Sequence, residues 1–202
     1  MDHSTIASAY NSLAERWLDE RFGRTDGVRQ HERALAFLDD GSEGWALNVG
    51  CGCNTRFNPM LRDRGLRIEG IDISERMIEL ARVADPAVLL HHADVCGWRP
   101  QRTYRFISAW DSIWHVRLEE QRPLLLKLMH ALEAGGVFIF SAGGLDHADE
   151  HVDSAMGPPL YYSTLGIPGL LDVIKEAGCL CRHLEFDQYP LKHLVVMAQR
   201  PA

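Results

Sequence analysis

The sequence predicts an α/β fold, a Rossmann-like and mostly parallel sheet covered by helices on both faces. Three observations carry that prediction. From residue 45 onward short apolar runs alternate with amphipathic stretches of helical length, the pattern of right-handed βαβ units. The first of these runs leads straight into Gly50-Cys51-Gly52. At the far end two apolar runs, 181–186 and 193–198, are joined by so short a link that they can pair only as an antiparallel hairpin.

The first ~40 residues read as helical under the apolar-periodicity rule. Ile6, Tyr10, Leu13, Ala14 and Trp17 recur at steps of three and four, and Ala34, Leu35, Phe37 and Leu38 mark a second stretch, with Gly23 and Gly27 between them. Residues 45–49 then form the first strand. A helix over 55–64 ends at Gly65, a second strand covers 67–71, and Ser74 caps a helix that runs to about 83 with Glu75 in its first turn. Strands follow at 87–91 and 104–110. The helix over 119–132 carries Pro123 in its first turn, Gly135-Gly136 stop it, and 137–141 is a buried fifth strand. Residues 144–169 read as a long polar segment, and a helix over 170–177 closes at Gly178 before the hairpin.

At 202 residues, 46% hydrophobic and 24% charged, the chain suits a single domain with one sizeable core. No apolar run approaches the ~20 residues of a membrane helix. Met1-Asp2-His3-Ser4-Thr5 lacks the basic and apolar regions of a secretory signal. Membrane attachment is therefore not expected, and a cytoplasmic location is. The formal net charge of −7 argues against nucleic acid as the partner. Arg56, Arg62, Arg64 and Arg67 read as a solvated helix face. Five cysteines make no disulfide framework, and the pairs Cys51/Cys53 and Cys179/Cys181 are spaced more tightly than structural zinc sites usually are.

Glycines at the end of a first strand permit a tight turn and a close approach by a ligand. Twenty residues after Gly52 the second strand ends at Asp72, where a carboxylate can accept from both hydroxyls of a ribose. A dinucleotide oxidoreductase would need a third glycine where Thr55 stands. The loop resembles instead that of class I S-adenosylmethionine-dependent methyltransferases, in its two glycines and the cysteine between them. The resemblance extends to His92-Ala93-Asp94-Val95 after the third strand, to the segment 108–116 with its histidine at His115, to Leu132-Glu133-Ala134-Gly135-Gly136 before the fifth, and to the terminal hairpin.

This resemblance implies a sheet of order 3-2-1-4-5-7-6 with strand 7 antiparallel, and one domain in which residues 1–43 form a helical lid over a core of 44–202. It implies S-adenosylmethionine as cofactor, held by Asn48, Gly50, Cys51, Gly52, Asp72, Ile73, Met77, Asp94, Val95, Ala109 and Trp110. It also implies methyl transfer to a small molecule, with Tyr10 and Trp17 as lid residues. Asn48 stands where the family usually has an acid, and Asn54 where it has a third glycine; these departures keep a non-catalytic binding module as an alternative.

Displacement at a sulfonium asks the protein mainly to align a nucleophile and exclude water, worth roughly 7–11 kcal/mol. His115 is the candidate base or else a structural histidine, and Asp111 orients a ligand or caps a turn. His147 and His151, in the acidic run 146–153, follow the fifth strand at the sheet edge where ligands bind. That run reads as a metal site, an amine-recognition site or a solvated loop. Tyr161 and Tyr162 either wall a substrate pocket or pin their loop to the core. Oligomeric state is not legible.

Overall fold

The computed structural model describes residues 2–18, 25–39 and 43–202; Gly23 and part of the segment 1–43 lie outside the described residues. α1 (His3–Leu13) continues into a 3₁₀ turn (Ala14–Leu18), and α2 (Val28–Leu35) precedes the sheet. The sheet is built from β1 (Gly44–Val49), β2 (Leu66–Asp72), β3 (Leu89–His92), β4 (Tyr104–Ala109), β5 (Leu132–Gly143), β8 (Leu180–Phe186) and β9 (His193–Gln199). Its order is β3-β2-β1-β4-β5-β9-β8. The first five strands are mutually parallel, and β9 runs antiparallel to both neighbours. This is the strand order, with its one antiparallel strand inserted beside β5, that the resemblance implies.

The alternation of side chains along each strand sorts the core into two layers. Leu47, Ile107, Phe138, Phe140, Leu194 and Val196 face Leu124, Leu125 and Leu128 of α5 (Leu118–His130) and Leu170, Val173 and Ile174 of α6 (Gly166–Glu176). Their neighbours Ala46, Ile68, Phe106, Val137, Ile139, Val195 and Met197 face Ala34 and Leu35 of α2 and Leu61 of α3 (Asn58–Asp63). β5 and β9 are thus apolar on both sides, as strands in a doubly covered sheet must be. Full burial of each such Leu or Phe stabilises the fold by roughly 2 kcal/mol.

Four local expectations change. Residues 144–169 are not simply a loop: β6 (Asp149–Asp153) and β7 (Leu160–Thr164) form a separate antiparallel ribbon. Its outer strand is charged and exposed, which hid the signal; β7 supplies the burial through Leu160, Tyr161, Ser163 and Thr164. Gly135-Gly136 do not stop a helix, because α5 has already ended at His130; they sit in a register shift between β5 and β4. Pro123 is the sixth residue of α5, beyond the first turn, and its missing N–H falls opposite the carbonyl of exposed Glu119. α3 begins only at Asn58, so Arg56 precedes it and Arg67 lies in β2 over the Trp45 ring. The four arginines do not form one solvated face.

Candidate functional site

The carboxyl ends of β1, β2, β3 and β4 open into a cavity of about 510 Å³, covered by α1 and the turn after it. Each strand end contributes one group in spatial order.

At β1, the amides of Gly50 and Cys51 both donate to the Ile71 carbonyl, at 2.8 and 3.1 Å, and fold the loop back over β2. Gly50 has φ +64°, and a Cβ there would lie 2.2 Å from Ser112 Cβ. Ser112 in turn donates to the Val49 carbonyl at 2.8 Å. Asn54 does not adopt a left-handed conformation. Its Oδ1 accepts from the Arg56 amide at 2.9 Å, so a side-chain turn replaces the third glycine.

At β2, Asp72 Oδ2 accepts from the Gly52 amide and Oδ1 from the Ser74 amide, each at 2.8 Å. Ser74 caps α4 (Glu75–Ala84) by accepting from the Met77 amide. Burial pushes the Asp72 carboxyl upward, against the pull of these amides. Such a carboxylate has lone pairs to spare and little water to fill them.

At β3, Asp94 Oδ1 accepts from the Cys96 amide at 2.8 Å, while Oδ2 lies 2.5 Å from His3 Nδ1. His3 Nε2 lies 2.8 Å from Glu120. Burial lowers the His3 imidazole pKa, but the two carboxylates outweigh it and the net shift is upward. His3 therefore straps α1 to the loop after β3.

At β4, Trp110 donates to Asp26 at 3.1 Å. Asp111 has φ +53°, held there by Ser141, whose Oγ accepts from its amide at 2.7 Å and donates to its carboxylate at 3.0 Å. His193 bridges Asp111 at 2.9 Å and Asp187 at 2.5 Å. Burial lowers its pKa, yet the hydrogen bonds and charges of both aspartates lift it to about 9.

His115 sits on a 3₁₀ turn (Ile113–His115) against β7. Its Nδ1 bonds the Tyr161 carbonyl at 2.8 Å and so carries the proton. Nε2 then accepts from Tyr10 Oη at 2.7 Å and Trp114 Nε1 at 3.1 Å. Burial depresses its pKa to about 4, and burial pushes the Tyr10 phenol well upward. This is a neutral imidazole that orients Tyr10 of α1.

Of the residues expected to hold cofactor, Asn48, Gly50, Cys51, Gly52, Asp72, Ile73, Met77, Asp94, Val95 and Trp110 line the cavity. Ala109 is fully buried and does not. Asp111 and His115 line it, as do Tyr10, Trp17 and Tyr162. Tyr161 turns its hydroxyl away, donating to Glu150 and accepting from the Leu118 amide, and meets the site only through its carbonyl. His147 packs its backbone under Gly166. His151 is 60% exposed and stacks on Tyr162 from outside the cavity lining. Among the described residues the donors that do converge are His3, Asp94 and Cys96, away from the 146–153 run. All five cysteines are free thiols. Sequence reasoning missed His3, Arg56, Asp187 and His193, whose neighbours are distant in the chain.

Residues 46–136 match a family model described as a methyltransferase domain. A trans-aconitate 2-methyltransferase from Enterobacter sp. (strain 638) is 31% identical over 152 residues, 70% of this chain and 58% of that protein. The chain thus spans under two thirds of that relative's length. Among solved structures, an S-adenosylmethionine-dependent methyltransferase from Mesorhizobium loti is similar with a TM-score of 0.66 at 20% identity, over 87% of this chain and 99% of that one. A 1,6-didemethyltoxoflavin-N1-methyltransferase from Burkholderia thailandensis gives 0.73 at 16% identity, over 98% and 88%. The magnesium protoporphyrin IX methyltransferase from Synechocystis PCC 6803 gives 0.73 at 14% identity, over 99% and 98%. These structural likenesses are likenesses of fold.

Proposed function

We propose that the chain, whose residues 46–136 match the methyltransferase domain family and whose sheet runs β3-β2-β1-β4-β5-β9-β8, is an S-adenosylmethionine-dependent enzyme that methylates a small-molecule acceptor. The observation that carries the reading is the order of groups along the cavity. Asp94, Asp72 and the Gly50–Gly52 loop follow one another across β3, β2 and β1. The same cavity is lined by the aromatic rings of Trp17, Trp114 and Tyr162.

The cofactor fits these residues. Asp72 is a buried carboxylate with two amide donors and remaining acceptor capacity, the chemistry a vicinal diol needs. The loop admits a ligand close to its backbone at Gly52, where a Cβ would meet only Met77 Sδ at 3.9 Å, while the missing Cβ of Gly50 makes room for Ser112. The volume is of the size small-molecule sites have. When bound, the cofactor supplies a methyl group already activated by its sulfonium.

The protein's own work is then binding, alignment and exclusion of water. Asp72 takes the ribose hydroxyls, Asp94 the adenine edge, and Ile73, Met77 and Val95 pack about the nucleoside. Residues 1–43 act as a lid on the core of 44–202, held by His3 on Asp94, Asn11 on Ser74 and Tyr10 on His115. His115 fixes the Tyr10 hydroxyl with its oxygen lone pairs available to an acceptor N–H or O–H, which sets the acceptor's approach. Asp111 serves the amino-acid end of the cofactor or a basic group of the acceptor. We place the enzyme in the cytoplasm, consistent with its five free thiols. Its net charge of −7 disfavours a nucleic-acid substrate, and among the described residues no helix is long and apolar enough to cross a membrane.

Calorimetric titration tests the proposal: S-adenosylmethionine and S-adenosylhomocysteine bind in the micromolar range, and NAD does not. Release of S-adenosylhomocysteine against a panel of small nucleophiles then reports turnover. Trans-aconitate heads that panel, because a relative is named for it. Binding without turnover across the panel would make the chain a binding module, and no binding of either sulfur compound ends the methyltransferase reading.

A further inference from the structure

Among the described residues, His3, His193 and Arg56 line the cavity with carboxylates nearby. The first two are each gripped by two carboxylates, Asp94 with Glu120 and Asp111 with Asp187. Arg56 is different. Its side chain is only 17% exposed, and its Nε donates to the Asp26 carbonyl at 2.8 Å. The guanidinium rests 4.4 Å above the Phe57 ring. The nearest carboxylate oxygen, Asp26 Oδ2, lies 4.0 Å from Nη2 and already accepts from Trp110 Nε1 at 3.1 Å. Among the described residues no hydrogen bond runs from either Nη.

A guanidinium has five donors in a rigid fork that matches a carboxylate edge to edge. Taking such a charge out of water is costly unless an anion meets it. Here the fold has withdrawn the cation from solvent, stacked it and fixed one donor, yet left four donors on a cavity wall. The position is informative too. Arg56 follows the glycine loop of β1 and adjoins Trp110 at the end of β4, on the side of β1 away from Asp72 and Asp94. It therefore serves the end of the cavity opposite the nucleoside.

We propose that Arg56 is the cavity's carboxylate receptor, its two Nη groups gripping a carboxylate of a bound ligand. The inference rests on the methyltransferase reading and adds the chemistry that reading leaves blank. Two carboxylates could supply the anion: the amino-acid end of the cofactor, or a carboxylate on the acceptor. A purely structural Arg56 would hold the lid turn at Asp26 and do nothing more, so the test needs a readout that such a role would not move.

That readout is a difference between two ligands sharing the nucleoside. Wild type, Arg56→Gln and Arg56→Lys are titrated calorimetrically with S-adenosylhomocysteine and with 5′-methylthioadenosine, which lacks the amino-acid end. If the cofactor supplies the carboxylate, Arg56→Gln loses tenfold or more toward S-adenosylhomocysteine and under twofold toward methylthioadenosine, and Arg56→Lys recovers part of the loss. If the acceptor supplies it, both nucleosides bind unchanged and trans-aconitate titrated into S-adenosylhomocysteine-loaded protein loses tenfold or more. The proposal is overturned if all three ligands behave alike in variant and wild type, or if both nucleosides weaken equally. Should Arg56→Gln fail to fold, Arg56→Lys keeps the charge without the fork and carries the same comparison. Wild type that binds neither nucleoside sinks the methyltransferase reading itself, a result distinct from any loss on substitution.

Discussion

The hydroxyl of Tyr10 donates to Nε2 of His115 across 105 residues of sequence, at 2.7 Å. With Nδ1 committed to the Tyr161 carbonyl and Trp114 as a second donor to Nε2, the imidazole has no free lone pair while Tyr10 is in place. Tyr10→Phe leaves His115 satisfied by Trp114 and costs about 1 kcal/mol of stability. We expect turnover to fall about tenfold and acceptor KM to rise, with cofactor affinity within threefold of wild type. His115→Ala strips three hydrogen bonds and opens a void, costing roughly 3 kcal/mol. Thermal melts beside steady-state kinetics check both, and a Tyr10→Phe enzyme with unchanged kinetics would remove Tyr10 from the acceptor's path.

Asp72 invites a cleaner separation of binding from folding. Its charge is expensive because burial opposes ionisation. Asp72→Asn removes that expense but turns an NH2 toward the amide of Gly52 or Ser74, which loses its acceptor, so the melting temperature should fall modestly. The same change takes away the charged acceptor for the ribose hydroxyls, and S-adenosylhomocysteine affinity should drop about 10- to 100-fold, the worth of hydrogen bonds to a charged group. Unchanged affinity by calorimetry would relocate the ribose.

The two loop glycines should not be equivalent. Both have positive φ, so alanine at either is strained by about 1 kcal/mol. At Gly50 the new Cβ also meets Ser112 Cβ at 2.2 Å, whereas at Gly52 its nearest neighbour is Met77 Sδ at 3.9 Å. Urea denaturation should therefore rank Gly50→Ala below Gly52→Ala by at least another ~1 kcal/mol, since overpacking adds to the strain.

His193 gives the protein an alkaline weakness. Its folded pKa of about 9 lies above the unfolded value near 6.5, because Asp111 and Asp187 together overcome burial. The stabilisation is fully present below pH 6.5 and is lost as pH rises toward 9. It amounts to something on the order of 2 kcal/mol. His115 has the opposite sign: its pKa is lowered to about 4, so its contribution stands above pH 6.5 and is lost as pH falls toward 4. Urea midpoints measured at pH 6, 7.5 and 9 should fall for wild type and stay flatter for His193→Gln. Parallel slopes would contradict the clamp.

What the sequence could and could not announce follows from distance along the chain. The strands β1 to β5, the Gly-x-Gly turn and Asp72 are local patterns of apolarity and turn chemistry, and they emerge at the expected places. Ser74 caps α4 as its side chain and position imply. The clasps His3–Asp94, Tyr10–His115 and Asp111–His193 join residues 91, 105 and 82 positions apart, and no periodicity encodes them. Arg56 misled for a different reason. Its neighbours Arg62 and Arg64 do belong to an amphipathic stretch, but α3 starts two residues after Arg56, and the Arg56 Nε donates instead to the Asp26 carbonyl. β6 went unseen because Asp149-Glu150-His151-Val152-Asp153 looks like a solvated run when its partner is unknown.

That ribbon has an evolutionary consequence. β6 and β7 leave the sheet after Gly143 and rejoin the fold at Gly166, with Thr164 Oγ1 closing the mouth by donating to the Gly143 carbonyl at 2.7 Å. The excursion touches no strand-pairing register of the main sheet, yet it supplies Tyr162 to the cavity and the carbonyl that sets the His115 tautomer. It behaves as a cassette. The exposed strand β6 can vary in descendants without disturbing a strand pairing of the main sheet, whereas Leu160, Tyr161, Ser163 and Thr164 of β7 are buried.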